Sequence, residues 1–558
     1  MSKIRKGMKI FIHQGPAGVV HKLKNHHESK VKEEKYKARA KGFHLISDEE
    51  RIRQKKVHFQ DKIKFSVITP LYNTPEEYLL ELLHSLVKQT YVNWELCLAD
   101  GSDLQHGYVG EICREWAKKD SRIIYKRLQE NRGISENTNV CIELASGEYL
   151  GLLDHDDILH ESALFEMLTA IQKTGADFLY SDEVKFSGSI EAAADFNFKP
   201  GFGKDELRSH NYICHFTVFK RELLEGEETF YRPAFDGSQD HDMVLRLTEK
   251  AKCIRHVPKV LYYWRVHPNS VSMNLDSKRY AVDAAIRAVS EQLVRSGEKG
   301  KVKSNLPYQT IYRIQYDFDS KNKVAVLVHD IESEEEYSET VKVLKEHISY
   351  KNTFIIPVWK DTYETDGQAL NRVIAKTKCN FFVLLDSHCV PKNKGWIEEM
   401  LMFAQRRDVF AVGAKVLYKD NTVCCAGIAL SEPEPLKIRF LCEHGNNEEQ
   451  GYEAMLRYVR NTTAVWKGCC MIEKSKLSET GNFEEHIQGY EDIDICLRAD
   501  EQKFWNVWTC FAEMIYLKPD CKSAYAEGDI EGFSRKWKER LKEGDQYSHL
   551  RLVELGLI

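Results

Sequence analysis

The feature that most constrains this chain is an apolar run that ends abruptly in acidic residues. The segment Tyr149–Leu153 is followed by Asp154, Asp156 and Asp157. Such runs are typical of buried parallel strands, and open α/β sheets bind ligands just beyond the carboxyl ends of these strands. Asp154 and Asp156 can therefore both reach a bound Mg²⁺ or Mn²⁺, since these ions take oxygen ligands. The alternative is an ordinary polar turn in which Asp157 caps the next helix.

Three earlier stretches predict further strands of the same sheet. They are Phe65–Pro70, Trp94–Asp100, which also ends in an acid, and the short Ile123–Tyr125. A helix with leucines at helical spacing follows the first of them, with Thr74 as its predicted N-cap. This alternation of strand and helix predicts an α/β fold built on a doubly wound, mostly parallel sheet.

The same pattern recurs in the second half of the chain. Val324–Val328 predicts a strand, and Phe381–Leu385 predicts another that leads into Asp386, with His388 two positions later. Histidine is a reasonable Mn²⁺ ligand, so Asp386 and His388 are predicted metal ligands. The repeat indicates two tandem domains of the same kind, not a short solenoid.

The charge distribution separates a basic arm from the rest of the chain. Residues 1–62 carry 17 Lys and Arg against 7 Asp and Glu, a local charge of +10 in a chain whose net charge is −5. Such an arm can meet an anionic membrane surface, or it is simply a solvated segment, and nucleic acid is not an expected partner. The predicted parts are the arm (1–62), a first domain (63–290), a linker (291–322), a second domain (323–540) and a C-terminal tail (541–558).

The cysteines and the hydropathy pattern predict a compartment. Fifteen cysteines are scattered without C-x-x-C or zinc spacing. No signal peptide is recognisable, and no apolar run approaches the roughly 18–20 residues that span a bilayer. We therefore expect a cytoplasmic protein with free, mostly buried thiols, held by its arm at the inner face of the plasma membrane if that arm binds lipid.

Several motifs occur in a fixed order between about residues 65 and 290. They are VITPLYNTPEEYL from Val67, NRGIS from Asn131, LLDHDD from Leu152, YSDE from Tyr180, NYICH from Asn211, GSQDHD from Gly237 and YWRVH from Tyr263. Together they resemble the inverting family 2 glycosyltransferases of the GT-A fold. Ala99-Asp100 departs from the family pattern, because many members carry two acids there, so nucleotide recognition would rest on Asp100.

The resemblance implies a nucleoside-diphosphate sugar as donor, Mn²⁺ or Mg²⁺ as cofactor, and a glycan or lipid-linked glycan as acceptor. A metal ion would stabilise the charge that develops on the leaving phosphate, and Asp154, Asp156 and His267 are its predicted ligands. Asp240 is the predicted catalytic base that takes the proton of the acceptor hydroxyl. The predicted donor contacts are Thr69, Pro70, Tyr72, Asp100, Asp154 and Arg265.

Asn211 and His215 have two interpretations at this stage. Either they line the acceptor side of the site, or they pack structurally. Asp242 is predicted to support Asp240 or to cap the helix that follows it.

The second half resembles another family 2 module, closest to the rhamnosyltransferase-like branch. In its segment Gly489–Arg498, Asp492 corresponds to Asp240 and is the second predicted catalytic base. This half lacks the Tyr-Asn loop of the first, and Tyr516–Asp520 stands where relatives carry histidines. The sequence of the second half therefore gives less support for donor binding than that of the first half.

The predicted function is sugar transfer in the synthesis of a cell-surface polysaccharide, such as a capsule or an O-antigen. Retention of Asp386, His388 and Asp492 favours a bifunctional enzyme. The alternative is one active domain beside one that only binds a sugar nucleotide or acceptor, or acts as a scaffold. A nucleotidyltransferase is disfavoured, because no Gly-rich phosphate loop follows the first strand.

Overall fold

Two mixed sheets organise the molecule, one in each half of the chain. The computed structural model describes residues 34–267, 279–430, 436–522, 525 and 528–558. We call the part within 63–290 module one and the part within 323–540 module two. The α/β fold with two tandem sheets is confirmed, while the exact domain boundaries stay a prediction.

Module one is built on a sheet whose edge near Asp154 gathers several strand ends. Its order is β3-β2-β1-β4-β8-β6-β9-β5, with β7 beside β6. The strands β1 to β4 are parallel to one another, whereas β8 runs antiparallel to both β4 and β6. The bounds are β1 Phe65–Leu71, β2 Trp94–Asp100, β3 Ile123–Arg127, β4 Tyr149–Leu152, β5 Ile158–Leu159, β6 Phe178–Phe186, β7 Asp195–Asn197, β8 Thr217–Lys220 and β9 Ile254–Arg265.

A hairpin follows module one in the stretch predicted as a linker. Strand β10, Gly300–Asn305, pairs antiparallel with β11, Tyr308–Tyr316. Within β11, Ile311, Tyr312, Ile314 and Tyr316 are buried. This stretch therefore carries regular structure and contributes buried apolar side chains.

Module two repeats the topology of module one. Its order is β13-β12-β14-β21-β16-β22-β15, with β17 beside β16 and β20 beside β22. The antiparallel β21 lies between β14 and β16, as β8 lies between β4 and β6. The bounds are β12 Val324–His329, β13 Thr353–Pro357, β14 Phe381–Asp386, β15 Cys389–Pro391, β16 Val409–Tyr418, β17 Val423–Cys425, β18 Ile428–Leu430, β19 Ile438–Phe440, β20 Arg460–Asn461, β21 Cys469–Glu473 and β22 Trp505–Tyr516.

Helices cover both sheets. The first long helix of module one begins at Glu76 with Pro75 as its N-cap, so the predicted cap at Thr74 is wrong by one residue. The Thr74 hydroxyl instead lies 2.6 Å from Nδ1 of His155. The described helices are 34–40, Asp48–Lys56, Glu76–Val87, Tyr108–Lys119, Ile134–Leu144, Ala163–Thr174, Lys204–Ser209, Gln239–Lys250, Arg279–Arg295, Glu334–His347, Asp366–Lys376, Trp396–Ala404, Lys474–Thr480, Glu491–Glu501, Ile530–Lys542 and Leu550–Leu555.

The two modules pack against each other through polar and apolar contacts. The backbone N–H of Asp205 donates to Oδ1 of Asn461 at 2.8 Å, and the Asp205 carboxylate pairs with Arg406. Beside them, Lys204 and Asp408 form an ion pair of 2.8 Å. One buried apolar cluster includes side chains of both modules. The modules therefore share a core instead of meeting only at their surfaces.

The C-terminal segment packs back onto module one. Nε2 of His549 lies 2.9 Å from Oδ2 of Asp182, which is buried in β6. Leu552 and Leu555 join an apolar cluster with Phe186 of the same strand. Residues predicted as a tail thus form part of the surroundings of module one.

The second half of the basic arm is also packed on module one. The hydroxyl of Tyr36 donates to the carbonyl of Phe196 at 3.1 Å, and Arg51 pairs with Glu161 at 2.6 Å. Across the described residues, none of the helices combines the length and the apolar character that a bilayer crossing demands.

Candidate active site

The acidic turn after β4 is held in place by Asp157. This carboxylate is 1% exposed, accepts a hydrogen bond from the Tyr262 hydroxyl at 2.7 Å, and accepts another from the backbone N–H of Arg265 at 2.7 Å. Burial raises its pKa well above the usual value, and the nearby Asp156 and Asp154 raise it further. Asp157 therefore connects the acidic turn to β9. The residues directly after Asp157 form strand β5, whereas the alternative interpretation had Asp157 capping a helix there.

Asp156 and His267 meet as the resemblance implied. Oδ2 of Asp156 lies 2.8 Å from Nε2 of His267, which follows the end of β9. Arg265 holds the other side of the turn, because its Nε donates to the carbonyl of Asp156 at 2.7 Å. The guanidinium also pairs with Glu81 and lies over the ring of Tyr78, 4.1 Å from its centre. Its role as a diphosphate contact stays a prediction.

Asp154 lies next to a histidine from a different strand connection. Its Oδ2 is 3.5 Å from Nε2 of His215, and Nδ1 of His215 is 3.2 Å from Oε2 of Glu183. Burial alone would lower the pKa of His215, but Cys214, Asp154 and Glu183 raise it well above the usual value. The imidazole sits between two carboxylates, which favour its protonated form.

Asp240 lies at the start of the helix Gln239–Lys250, on the same side of the sheet as this cluster. Its Oδ2 accepts a hydrogen bond from Nδ2 of Asn211 at 3.0 Å and lies 3.6 Å from Sγ of Cys214. Cys214 precedes His215 directly, so the chain of contacts runs from Asp240 to Asp154. The structure thus brings the base candidate and the metal-ligand candidates to one edge of the sheet.

Asp242, two residues further along that helix, has a structural role. It is fully buried and pairs with Arg232 and Arg246. These ion pairs go to arginines, so the predicted support of Asp240 stays a prediction, and the N-cap of the helix is Ser238 instead of Asp242.

The predicted nucleotide side lies at the ends of β1 and β2. Thr69 and Pro70 are buried, the Thr69 hydroxyl has no hydrogen-bond partner among the described residues, and Tyr72 is 46% exposed. Asp100 is fully buried and accepts hydrogen bonds from the Tyr125 hydroxyl at 2.8 Å and Arg127 at 2.7 Å. These partners satisfy the Asp100 carboxylate, so its contact with a nucleotide stays a prediction.

The side chains beside the acidic turn fit a hard divalent cation. Carboxylate oxygens and a neutral imidazole nitrogen are the donor set that Mn²⁺ accepts. Ligand atoms of Asp154, Asp157 and His215 lie within 4.8 Å of one another. Asp157 already accepts hydrogen bonds from Tyr262 and Arg265, and His215 already contacts Glu183. Of the predicted set, Asp156 and His267 are in direct contact, and the set of Asp154, Asp156 and His267 stays a prediction.

Two residues behind the site were not predicted. Glu183 is 2% exposed in its side chain and pairs with the fully buried Lys199 at 3.0 Å. Burial raises the pKa of Glu183, but Lys199 and His215 outweigh it and hold the pKa at about 2. Glu183 lies within the YSDE motif, which could have drawn attention to it, whereas no motif marks Lys199.

We expect Lys199→Met to lower the free energy of unfolding by about 3–5 kcal/mol, the usual cost of breaking a buried ion pair, since it removes the ammonium partner of the Glu183 carboxylate and leaves only the His215 ring as a charged contact. Urea denaturation followed by circular dichroism measures this change. Lys173→Met, on an exposed helix face of module one, is the matched control. A loss of stability no larger than that of the control would contradict the assignment.

Module two brings its predicted metal ligands into contact with each other. Oδ1 of Asp386 accepts a hydrogen bond from the backbone N–H of His388 at 2.8 Å and lies 2.9 Å from Nδ1 of that ring. On the other side of the ring, Nε2 is 3.6 Å from Oε1 of Glu336. Their role as metal ligands stays a prediction.

Asp492 differs from Asp240 in its surroundings. It is 2% exposed, and its Oδ2 accepts hydrogen bonds from the backbone N–H of Lys467 at 2.8 Å and from the Tyr525 hydroxyl at 2.7 Å. Burial raises its pKa, although Lys467 opposes the shift. The carboxylate is therefore enclosed by protein groups.

Strand register shows which residues of the two modules correspond. In module one Gly151 pairs with Val218, and in module two Val383 pairs with Met471. Counting back from these pairs, Lys467 occupies the position of Cys214, and Gly468 occupies that of His215. Module two therefore lacks a counterpart of His215 and carries a buried lysine, Lys467, one residue earlier.

The fold and the site together define a class. A doubly wound sheet with acids at the carboxyl ends of its parallel strands is the layout of an α/β fold with a ligand site at that edge. A more specific assignment follows from comparison with known proteins. The model of glycosyl transferase family 2 matches residues 66–226 and 335–479, more than half of the chain, so the chain belongs to this family.

Relatives match across most of the chain. The chain is 30% identical over 519 residues to the uncharacterized protein y4gI of Sinorhizobium fredii, covering 85% of this chain and 56% of that protein. It is 28% identical over 499 residues to the O-antigen biosynthesis protein RfbC of Myxococcus xanthus, covering 83% of this chain and 38% of that protein. The chain thus spans about half or less of the length of these relatives.

Solved structures give weaker likenesses. S. aureus TarS 1-349 in complex with UDP-GlcNAc is 20% identical, covers 42% of this chain and 67% of its own, and has a TM-score of 0.34.

Proposed function

We propose that module one transfers a sugar, with inversion, from a nucleoside-diphosphate donor to a glycan or lipid-linked glycan acceptor. The observation that carries this proposal is the run of contacts from Asp154 through His215 and Cys214 to Asp240, with the pair of Asp156 and His267 in the same acidic turn. This proximity supports a cation-binding group and a base acting on one reacting centre. O-antigen synthesis, named for the Myxococcus relative, supports a cell-surface polysaccharide as the product.

In this proposal one group of module-one residues binds the donor, and another acts on the acceptor. Asp154, Asp156 and His267 would hold Mn²⁺ or Mg²⁺, which when bound neutralises charge on the leaving diphosphate. Thr69, Pro70, Tyr72 and Asp100 would surround the nucleoside. Asp240, oriented by Asn211, accepts the proton of the attacking acceptor hydroxyl. A single displacement of this kind inverts the anomeric centre and requires no protein nucleophile.

The test of this proposal is the release of nucleoside diphosphate. The full chain is incubated with a panel of nucleotide sugars and Mn²⁺, and the released diphosphate is measured. We expect release from at least one nucleotide sugar, abolished by EDTA and restored by excess Mn²⁺. Release from none of them, or full release in EDTA, would overturn the proposal.

For module two we propose a non-catalytic role in binding the acceptor, with a second transferase centre as the competing candidate. The enclosed Asp492 and the substitution of His215 by Gly468 support the first role. The contact between Asp386 and His388 favours the second. The same two residues would hold a divalent cation if module two binds a donor.

We expect Asp492→Asn to lower thermal stability, because it weakens buried hydrogen bonds, while transfer of every accepted sugar persists. The measurement is the transfer rate per folded molecule with each donor, beside the same assay on Asp240→Asn. If Asp492→Asn, but not Asp240→Asn, lost the transfer of one particular sugar, the enzyme would instead be bifunctional.

We further propose that the basic arm holds the enzyme near anionic lipid, where a lipid-linked acceptor would lie. Each well-placed basic residue contributes about 1 kcal/mol near such a surface. Residues 34–62 pack on module one, so the informative truncation removes only 1–33. We expect the full chain to float with phosphatidylglycerol vesicles and the truncated chain to float less. Equal flotation of the two would remove the proposal.

A further inference from the structure

A cavity of about 300 Å³ lies beside the base candidate of module one. Its module-one lining includes Asn211, Cys214 and Trp264. The facing wall comes from elsewhere in the chain and includes Glu453 of module two and Ser548 of the C-terminal segment. Its volume lies at the lower end of the range for pockets that bind small molecules.

The cavity is continuous with the reaction centre. Nδ2 of Asn211 donates to Asp240, and Sγ of Cys214 lies 3.6 Å from the same carboxylate. The ring of Trp264 packs edge-on against that of His215, with 5.4 Å between the ring centres. A ligand in this cavity would therefore lie one side chain away from Asp240, against Asn211 and Cys214.

Three polar atoms in the cavity wall are buried without a partner. They are Nε2 of His210, Oδ1 of Asn211 and Oγ of Ser548, which have no hydrogen-bond partner among the described residues. Buried polar groups in folded proteins are almost always hydrogen-bonded, so each calls for a ligand or solvent partner. Two acceptor-capable groups and one hydroxyl, set among aromatic rings, match a ligand with several hydroxyl groups and an apolar ring face.

The wall from module two is fixed by contacts to module one. The Tyr452 hydroxyl donates to the carbonyl of Phe196 at 2.8 Å, and the Tyr458 hydroxyl donates to Oε1 of Glu206 at 3.0 Å. Between these anchors, Glu453 and Ala454 adopt left-handed backbone with φ of 43° and 63°, although neither is glycine. Strained backbone of this kind clusters at functional sites, and here it leaves Glu453 exposed at the cavity.

We propose that this cavity binds the acceptor sugar ring of the reaction in module one, and that module two supplies one of its walls. The inference rests on the proposed function and deepens it. Module two would then determine which acceptor module one accepts, through Glu453 and its neighbours, without a reaction of its own.

The test is saturation-transfer NMR on the full chain with a panel of methyl glycosides of glucose, galactose, mannose, N-acetylglucosamine and rhamnose. We expect at least one glycoside to bind the natural protein. Ser548→Trp, which fills the cavity, should abolish that signal. Glu453→Gln should weaken binding about tenfold, because the amide oxygen still accepts a hydrogen bond but no longer carries the charge that strengthens it. The matched control is Glu448→Gln, an exposed residue of the same segment outside the cavity wall.

Two outcomes would overturn the inference. One is that no methyl glycoside binds the natural protein, and the other is that Glu453→Gln and a folded Ser548→Trp bind as the control does. Circular dichroism establishes whether Ser548→Trp folds, and Glu453→Gln decides the question if it does not. Release of nucleoside diphosphate is measured on the same samples, so a failure of the proposed function is seen separately from a failure of the cavity.

Discussion

Asp240→Asn is expected to reduce the rate of sugar transfer by about 10²–10⁴-fold, the usual contribution of a positioned general base. The amide cannot accept the proton of the acceptor hydroxyl, but it retains the shape of the carboxylate and its contact with Asn211. Asp240 does not contact the metal-ligand candidates directly, so the affinity for the donor should hardly change.

The measurement pairs two assays on the same preparation. Transfer to the acceptor gives the rate, and calorimetric titration with the nucleoside diphosphate and Mn²⁺ gives the donor-side affinity. Asp195→Asn, an exposed acid on β7, is the matched control. If donor-side affinity collapses together with the rate, Asp240 is not simply the base.

Asp156→Ala is expected to abolish donor turnover that depends on Mn²⁺ or Mg²⁺. The carboxylate faces His267 at 2.8 Å, and its removal takes away one of the three groups predicted to hold the cation. The developing charge on the diphosphate then lacks its counter-ion, a stabilisation worth several kcal/mol in metal-dependent enzymes.

Atomic absorption after dialysis against Mn²⁺ shows whether the variant still retains metal, independently of turnover. Asp61→Ala, an exposed acid before β1, serves as the control. Full turnover by Asp156→Ala with undiminished metal content would rule out the proposed ligand set.

The strands that position the site could be predicted because their signals are local. Trp94–Asp100 has the predicted bounds, and Phe65–Leu71 is one residue longer than predicted. Asp154 follows the apolar run that ends at Leu153, and Asp386 follows the run that ends at Leu385. Both acids lie at strand ends, as the alternation of buried strands and helices requires. The repeat of the whole sheet was likewise visible, since both copies preserve the apolar run and its terminal acid.

What could not be predicted depends on partners far away in the sequence. The pairing of Asp157 with β9 joins residues 105 to 108 positions apart, and the contact between Tyr458 and Glu206 spans 252. A local sequence pattern does not indicate which residues far away in the chain will be in contact. Arg265 is an example, because no local pattern indicated that its guanidinium contacts the backbone of the acidic turn.

The contact between Asp182 and His549 has a consequence for synthesis. These residues are 367 positions apart, and at about 5–20 residues per second the ribosome needs roughly 20–70 s to travel between them. Once His256 has been made, the carboxylate of Asp182 has that ring beside it but still lacks its second imidazole. Module one therefore gains this contact only after the ribosome has passed module two, so a chain that stops before His549 leaves module one without it.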